Sequence, residues 1–223
     1  MEPTCRRLIW DAGGVIYSFD QNIANKQLAQ NCGKSLEEIS EVIYGNSMTD
    51  RQFNSGIAEP YNLGKINSKE FYSRLKKRLG LTMSYDKFVA VFGNILTLNH
   101  KIADLIERVH NAGYTQGVLS STNPIHWAEM MKLFDIERLL GSERIVRTCD
   151  QDAGEKKPSP ILFDLVLKKL GGGDKKTFAY FDDVQKYAEA ATLYGVNGIY
   201  VNITRPDFEE NCIATVKSLG IQI

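Results

Sequence analysis

The feature that most constrains this fold is a series of short apolar segments, each bounded by turn residues and separated from the next by an amphipathic segment. Five segments have this character: Arg7–Trp10, Thr115–Leu119, Arg144–Val146, Thr177–Phe181 and Gly198–Val201. Runs without polar alternation are typical of strands covered on both faces, as in parallel sheets. The sequence therefore predicts an α/β protein with a parallel sheet, in which helices connect successive strands.

Helix-start signals indicate that the segments between the predicted strands are helices. Asn99 can cap a helix that carries apolar residues at helical spacing. Asn123 followed by Pro124 is typical of an N-cap and a first helical position. Further helices are predicted over Pro158–Leu170 and Tyr187–Tyr194.

Residues 20–98 interrupt the alternation, because they carry helix signals and no convincing strand. Ser35 and Glu38 form a capping box, and Asn67 begins a second helix that ends at Gly80. We therefore predict an all-helical insertion after the first strand. The predicted domains are an α/β core, residues 1–19 and 99–223, and a helical insertion, residues 20–98.

Composition excludes several function classes. The 223 residues contain 27 Lys and Arg against 27 Asp and Glu, without the basic excess that phosphate-backbone binding needs, so no nucleic-acid partner is expected. No apolar run approaches the roughly 18 residues of a membrane span, and residues 1–7 lack the apolar segment of a signal peptide. The four cysteines form no C-x-x-C pair, which favours reduced thiols and a cytoplasmic location. Monomer and homodimer both stay open.

Residues that could take part in binding or catalysis follow three of the predicted strands and precede one helix. Because ligands bind at the carboxyl ends of parallel strands, we expect these residues to meet at one edge of the sheet. Any one of them could instead cap a helix, but so many at one edge are hard to assign to capping. They are Asp11, Gly13, Gly14, Ser120, Ser121, Lys157, Asp182 and Asp183.

Oxygen ligands and basic groups in this set suit a metal-bound phosphate. Three converging carboxylates repel one another and favour a divalent cation, for which Mg²⁺ is the fitting choice. Ser120 and Lys157 suit phosphoryl oxygens, and Gly13 and Gly14 can bring backbone N–H groups close to an anion. Asp11 is a plausible nucleophile that would form an aspartyl-phosphate.

Four segments in this order resemble the motifs of the haloacid dehalogenase-like (HAD) hydrolase superfamily. LIWDAGGV places Asp11 at the nucleophile position, and GVLSSTN places Ser120 at the hydroxyl that holds the transferred group. Lys157, before a proline, matches the charge-neutralising lysine, and FDD matches the metal-binding pair Asp182 and Asp183. The resemblance implies a Rossmann-like core, and the helical insertion corresponds to the family's cap domain.

The segment after the second strand and QDAGEKKP before Pro158 are most similar to the sugar-phosphate phosphatase branch, which includes the phosphatase domain of some epoxide hydrolases. This resemblance implies a phosphatase that uses Mg²⁺. Its substrate would be a small phosphorylated molecule, with a sugar phosphate favoured.

Two positions depart from the phosphatase pattern. Gly13 occupies the place of a second Asp that protonates the leaving group, although the Gly13 carbonyl could still bind Mg²⁺ as in the family. Either the leaving group departs without a proton, or another acidic residue takes the place of the missing Asp. Asp20 is a candidate for that acid and for substrate binding, with a turn residue as the alternative. Val184 stands where the family often has a polar residue.

Two other functions stay open at this point. A 2-haloacid dehalogenase would share the fold and the nucleophile Asp11 without needing a metal, although adjacent carboxylates at Asp182 and Asp183 would repel its substrate. A catalytically weak binding or regulatory protein is the other alternative, supported by Gly13 alone.

Overall fold

The structure is a computed structural model that describes residues 5–45 and 56–223. The remaining parts of the predicted N-terminus and helical insertion, residues 1–4 and 46–55, lie outside the described residues. The strands are β1 (Arg7–Trp10), β2 (Tyr17–Phe19), β3 (Leu96–Leu98), β4 (Thr115–Ser120), β5 (Ile145–Arg147), β6 (Phe178–Asp182) and β7 (Asn197–Tyr200). The helices are α1 (Gln21–Cys32), α2 (Leu36–Tyr44), α3 (Ala58–Asn62), α4 (Ser68–Leu79), α5 (Tyr85–Gly93), α6 (His100–Asn111), α7 (Pro124–Leu133), α8 (Ile136–Leu140), α9 (Pro160–Lys169), α10 (Gln185–Tyr194) and α11 (Phe208–Ser218).

A five-stranded parallel sheet in the order β5-β4-β1-β6-β7 forms the centre of the protein. Trp10 and Phe181 pack on one face with α6, α7 and α11, and Ile9 and Tyr180 pack on the other with α9 and α10. The predicted α/β class is confirmed. The prediction that every strand is buried on both faces was wrong for β7. Its residues are exposed or half-buried, because this edge strand pairs only with β6.

Helices α1, α2, α3, α4 and α5 bury their apolar residues in a separate cluster that includes Leu28, Ile43, Phe71 and Phe88. The predicted capping box at α2 is present, since Ser35 Oγ accepts from the Glu38 N–H and the Glu38 carboxylate accepts from the Ser35 N–H. Asn67 caps α4 through the Glu70 N–H, and Gly80 ends it. The division into core and cap stays a prediction.

The expectation of no strand within residues 20–98 was wrong. β3 pairs antiparallel with β2, so the chain leaves and re-enters the core through two adjacent strands. Asn99 fixes this junction, donating to the Val15 carbonyl at 2.6 Å and accepting from the Ser18 hydroxyl at 2.6 Å. Three-residue strands are too short to show a period of two, which is why the pattern gave no signal. Helices α8 and α11 also lacked a predicted counterpart.

Among the helices of the described residues, none combines the length and the apolar composition that a membrane span requires.

Candidate active site

The sheet order places three predicted site residues side by side. β1 lies between β4 and β6, at the point where the strand order reverses direction. Ser120 and Asp182 end β4 and β6, and Asp11 directly follows β1, with its N–H donating to the Phe181 carbonyl at 2.8 Å. Crevices for ligands form at such reversal points in parallel sheets.

Three carboxylates meet at this edge. Asp11, Asp182 and Asp183 each offer an oxygen within 4.8 Å of the others. All three are buried, with exposed fractions of 6%, 0% and 8%. The structure thus brings together the acidic residues that the sequence predicted as metal ligands.

Lys157 is the cation of this cluster. Its Nζ lies 3.0 Å from Asp11 Oδ1 and 2.9 Å from Asp182 Oδ2. Burial by itself would lower the pKa of Lys157, but the two carboxylates outweigh it and raise the pKa above the ordinary value. The ammonium therefore stays charged against the carboxyl groups of β1 and β6.

Tyr180 belongs to the same network and was missed by sequence reasoning. Its hydroxyl accepts from Lys157 Nζ at 3.0 Å and donates to Asp182 Oδ2. Burial and the nearby Asp182 carboxylate raise the pKa of Tyr180, so the hydroxyl keeps its proton. An aromatic residue inside an apolar strand gives no signal that its hydroxyl group contacts a buried lysine.

The charge balance of the cluster fits a divalent cation. Burial raises the pKa of Asp11, Lys157 opposes that rise, and the carboxylates of Asp182 and Asp183 add to it. Ionising all three carboxylates beside one ammonium would leave two negative charges in a buried place, which a divalent cation would balance. Oxygen donors with this excess of negative charge are what Mg²⁺ prefers.

Hydroxyl groups lie at the end of β4. Ser120 is fully buried, and its Oγ has no hydrogen-bond partner. Ser121 is exposed and lines the cavity above the carboxylates. A buried hydroxyl without a partner costs free energy unless a ligand or water satisfies it, which fits a phosphoryl oxygen beside Ser120.

Gly13 and Gly14 have different surroundings. Gly13 lines the cavity, whereas the Gly14 N–H donates to the Tyr17 carbonyl at 2.7 Å. The predicted use of the Gly14 N–H for an anion is therefore not supported, since the turn between β1 and β2 takes it. Gly14 instead makes room for Asp183, because a Cβ at its φ of 87° would overlap that carboxylate.

Gly14→Ala is expected to displace Asp183 in addition to straining the backbone. A non-glycine residue in the left-handed region costs about 1–3 kcal/mol. Gly33→Ala is the matched control, because Gly33 has a φ of 68° and nothing within 4 Å of the added Cβ. Chemical denaturation should show the greater loss of unfolding free energy for Gly14→Ala. The increase in Tm on adding Mg²⁺ should also be smaller in that variant alone; equal responses of the two variants would contradict this role of Gly14.

Asp20 is not part of the acidic cluster formed by Asp11, Asp182 and Asp183. It is exposed and caps α1, where its Oδ1 accepts from the Asn22 N–H at 3.0 Å. It is not among the residues that line the cavity. The structure thus places Asp20 in the turn-residue role, because the capping bond holds its carboxylate at the helix start.

A cavity of about 370 Å³ lies above the carboxylates, between the sheet edge and the helical insertion. His126 lines it, stacked on Phe92 with ring centroids 4.7 Å apart. Its Nε2 donates to the Phe92 carbonyl at 3.1 Å, and Nδ1 accepts from Asn123 Nδ2 at 3.0 Å. Burial lowers the pKa of His126 to about 4, so the ring is neutral near pH 7 and joins α5 to α7.

Comparisons with known proteins identify a family and a shared fold. The profile of the haloacid dehalogenase-like hydrolase family matches residues 5–195. A HAD family enzyme from Bacteroides thetaiotaomicron, in complex with magnesium and inorganic phosphate, is similar in structure with a TM-score of 0.72 and 21% identity, over 90% of this chain and 96% of that chain. A predicted HAD-like family hydrolase from Porphyromonas gingivalis has a TM-score of 0.74 and 18% identity, over 99% and 100%.

A dehalogenase is also similar, with a TM-score of 0.63 and 17% identity over 100% of both chains. At these identities the similarity shows a shared fold. No curated protein sequence matches this chain at a significant level. Because the family profile spans most of the sequence and the fold agrees, the chain belongs to the haloacid dehalogenase-like hydrolase family.

Proposed function

We propose that this hydrolase is a Mg²⁺-dependent phosphatase that acts on a small organic phosphate monoester, with a sugar phosphate as the favoured class. The observation that carries the proposal is the contact of Asp11 with Lys157 beside two further buried carboxylates, at the floor of the cavity. In this proposal residues 1–19 and 99–223 form the core, and residues 20–98 form the cap that selects the substrate.

Asp11 is the proposed nucleophile. One of its carboxylate oxygens attacks phosphorus, the bond from phosphorus to the leaving oxygen breaks, and water later cleaves the aspartyl-phosphate. Lys157 holds Asp11 in place at 3.0 Å and offsets negative charge on the transferred group. Ser120, with its unpartnered hydroxyl, donates to a phosphoryl oxygen.

The proposed metal ligands are the carboxylates of Asp11, Asp182 and Asp183 and the carbonyl of Gly13. Bound Mg²⁺ would offset the repulsion between these carboxylates and the phosphate. Asp182 has a second task, because it also accepts hydrogen bonds from Lys157, Tyr180 and the Val184 N–H. It therefore fixes the lysine relative to the metal position.

Removal of the metal is expected to abolish phosphate release. A panel of sugar phosphates and p-nitrophenyl phosphate would be assayed with EDTA and again after Mg²⁺ is restored, and activity should return only with Mg²⁺. Halide release from 2-haloacids that persists in EDTA would instead support a dehalogenase. Tight phosphate binding without turnover of any monoester would support the catalytically weak alternative.

A further inference from the structure

Two amide side chains of α1 line the cavity and carry buried polar atoms without hydrogen-bond partners. Gln21 and Asn25 both line it, and their spacing of four residues places them on one face of the helix, one turn apart. Asn25 is 2% exposed, and its Oδ1 has no hydrogen-bond partner. The Nε2 of Gln21 is likewise buried without a partner. Buried polar atoms are normally paired, so two orphans on one wall of a cavity indicate a ligand group.

The chemistry of the two amides selects that group. Each amide carries both donors and an acceptor, and a flip exchanges their places. Gln21 and Asn25 together can therefore donate to and accept from one ligand group. A hydroxyl matches this pair because it also donates one hydrogen bond and accepts others. In the amide orientations of the structure, a carboxylate or second phosphate, which only accepts, would satisfy Gln21 Nε2 and leave Asn25 Oδ1 without a donor.

The charges around the cavity also favour a ligand group without a negative charge. Lys157 is already shared by Asp11 and Asp182, and Lys156 forms an ion pair with Glu59. No arginine occurs among the described residues that line the cavity. A substrate with a second anionic group would therefore bring its charge into a space where the described residues offer no spare cation, at a desolvation cost.

We infer that the Gln21–Asn25 pair binds a hydroxyl group of the leaving group, and that the substrate is a phosphate monoester whose remainder is uncharged and hydroxylated. This inference rests on the proposed phosphatase function and names its substrate class. Gln21 and Asn25 are then specificity-determining residues that do not touch the reacting phosphorus.

The test compares three six-carbon substrates: glucitol 6-phosphate, hexyl phosphate and 6-phosphogluconate. They share a chain length and differ in hydroxyl groups and in a second charge. We expect kcat/KM for glucitol 6-phosphate to exceed both others by about 10-fold or more, since unpaired polar groups penalise the wrong ligand. Asn25→Leu and Gln21→Met, which keep approximate side-chain size, should each reduce the ratio of glucitol to hexyl phosphate by about 10-fold.

Gln30→Leu is the control, because Gln30 is an exposed amide on the same helix outside the cavity. It should leave the ratio unchanged. A preference for 6-phosphogluconate, or ratios that neither Asn25→Leu nor Gln21→Met alters, would overturn the inference while the phosphatase stands. Failure of the wild-type protein to release phosphate from these substrates and from p-nitrophenyl phosphate would overturn the proposed function and this inference together.

Discussion

Asp11→Asn is expected to lower phosphate release by about 10⁴-fold or more, because the proposed mechanism depends on the Asp11 carboxylate for covalent attack. The fold should survive, since the amide removes one of three clustered negative charges and Lys157 keeps its contact with Asp182 at 2.9 Å. Chemical denaturation without Mg²⁺ should therefore show an unfolding free energy equal to or above that of the wild-type protein. A loss of activity without a loss of stability is the mark of a residue kept for chemistry.

Covalent trapping gives the Asp11 prediction a second measurement. Acid quenching of the wild-type protein during turnover should leave a phosphoryl group that mass spectrometry locates on Asp11, and the Asn variant should carry none. Asp104→Asn is the matched control, because Asp104 is exposed on α6 and should retain full activity. Unchanged phosphate release in Asp11→Asn would rule out the aspartyl-phosphate.

The acidic cluster could be predicted because parallel strands bring their carboxyl ends together. Asp11 and Asp182 are distant in the sequence, yet the alternation of strands and helices was enough to predict that they lie at one edge of the sheet. The same reasoning placed Ser120 beside them. Lys157 was predicted from its place at a helix start and from the resemblance, and the structure brings it to 3.0 Å from Asp11. Their catalytic roles stay predictions.

The walls of the cavity could not be predicted in the same way. Gln21 and Asn25 look like ordinary polar positions of an amphipathic helix, and only the packing of α1 over the sheet edge makes them line a cavity. Tyr180 looked like a core aromatic because strand patterns report burial and not the partner of a hydroxyl. For Asp20 the sequence left two roles open, and the structure shows its carboxylate in a capping hydrogen bond with the Asn22 N–H.

Gly13 has room for a side chain that could donate a proton to the leaving group. A Cβ at this position would meet only the Phe19 ring, at 3.6 and 3.8 Å, which is ordinary van der Waals contact. Its φ is not in the left-handed region, and it lines the cavity. Gly13→Asp therefore adds a carboxyl group beside the proposed reacting phosphorus without displacing the backbone. Burial and the nearby carboxylates would raise the pKa of that carboxyl, which favours its protonated form.

A positioned general acid contributes about 10²–10⁴ to rate, and its benefit grows as the leaving group becomes a poorer one. Gly13→Asp should thus raise kcat for an alkyl phosphate such as hexyl phosphate by about 10²-fold and change kcat for p-nitrophenyl phosphate little, because nitrophenolate departs without a proton. Gly13→Asn has nearly the same shape and cannot donate that proton, so it isolates acid catalysis from packing. Equal alkyl phosphate rates in the Asp and Asn variants would show that proton transfer to the leaving group does not limit turnover. A gain confined to Gly13→Asp would show that proton transfer to the leaving group limits the turnover of alkyl phosphates by the natural enzyme.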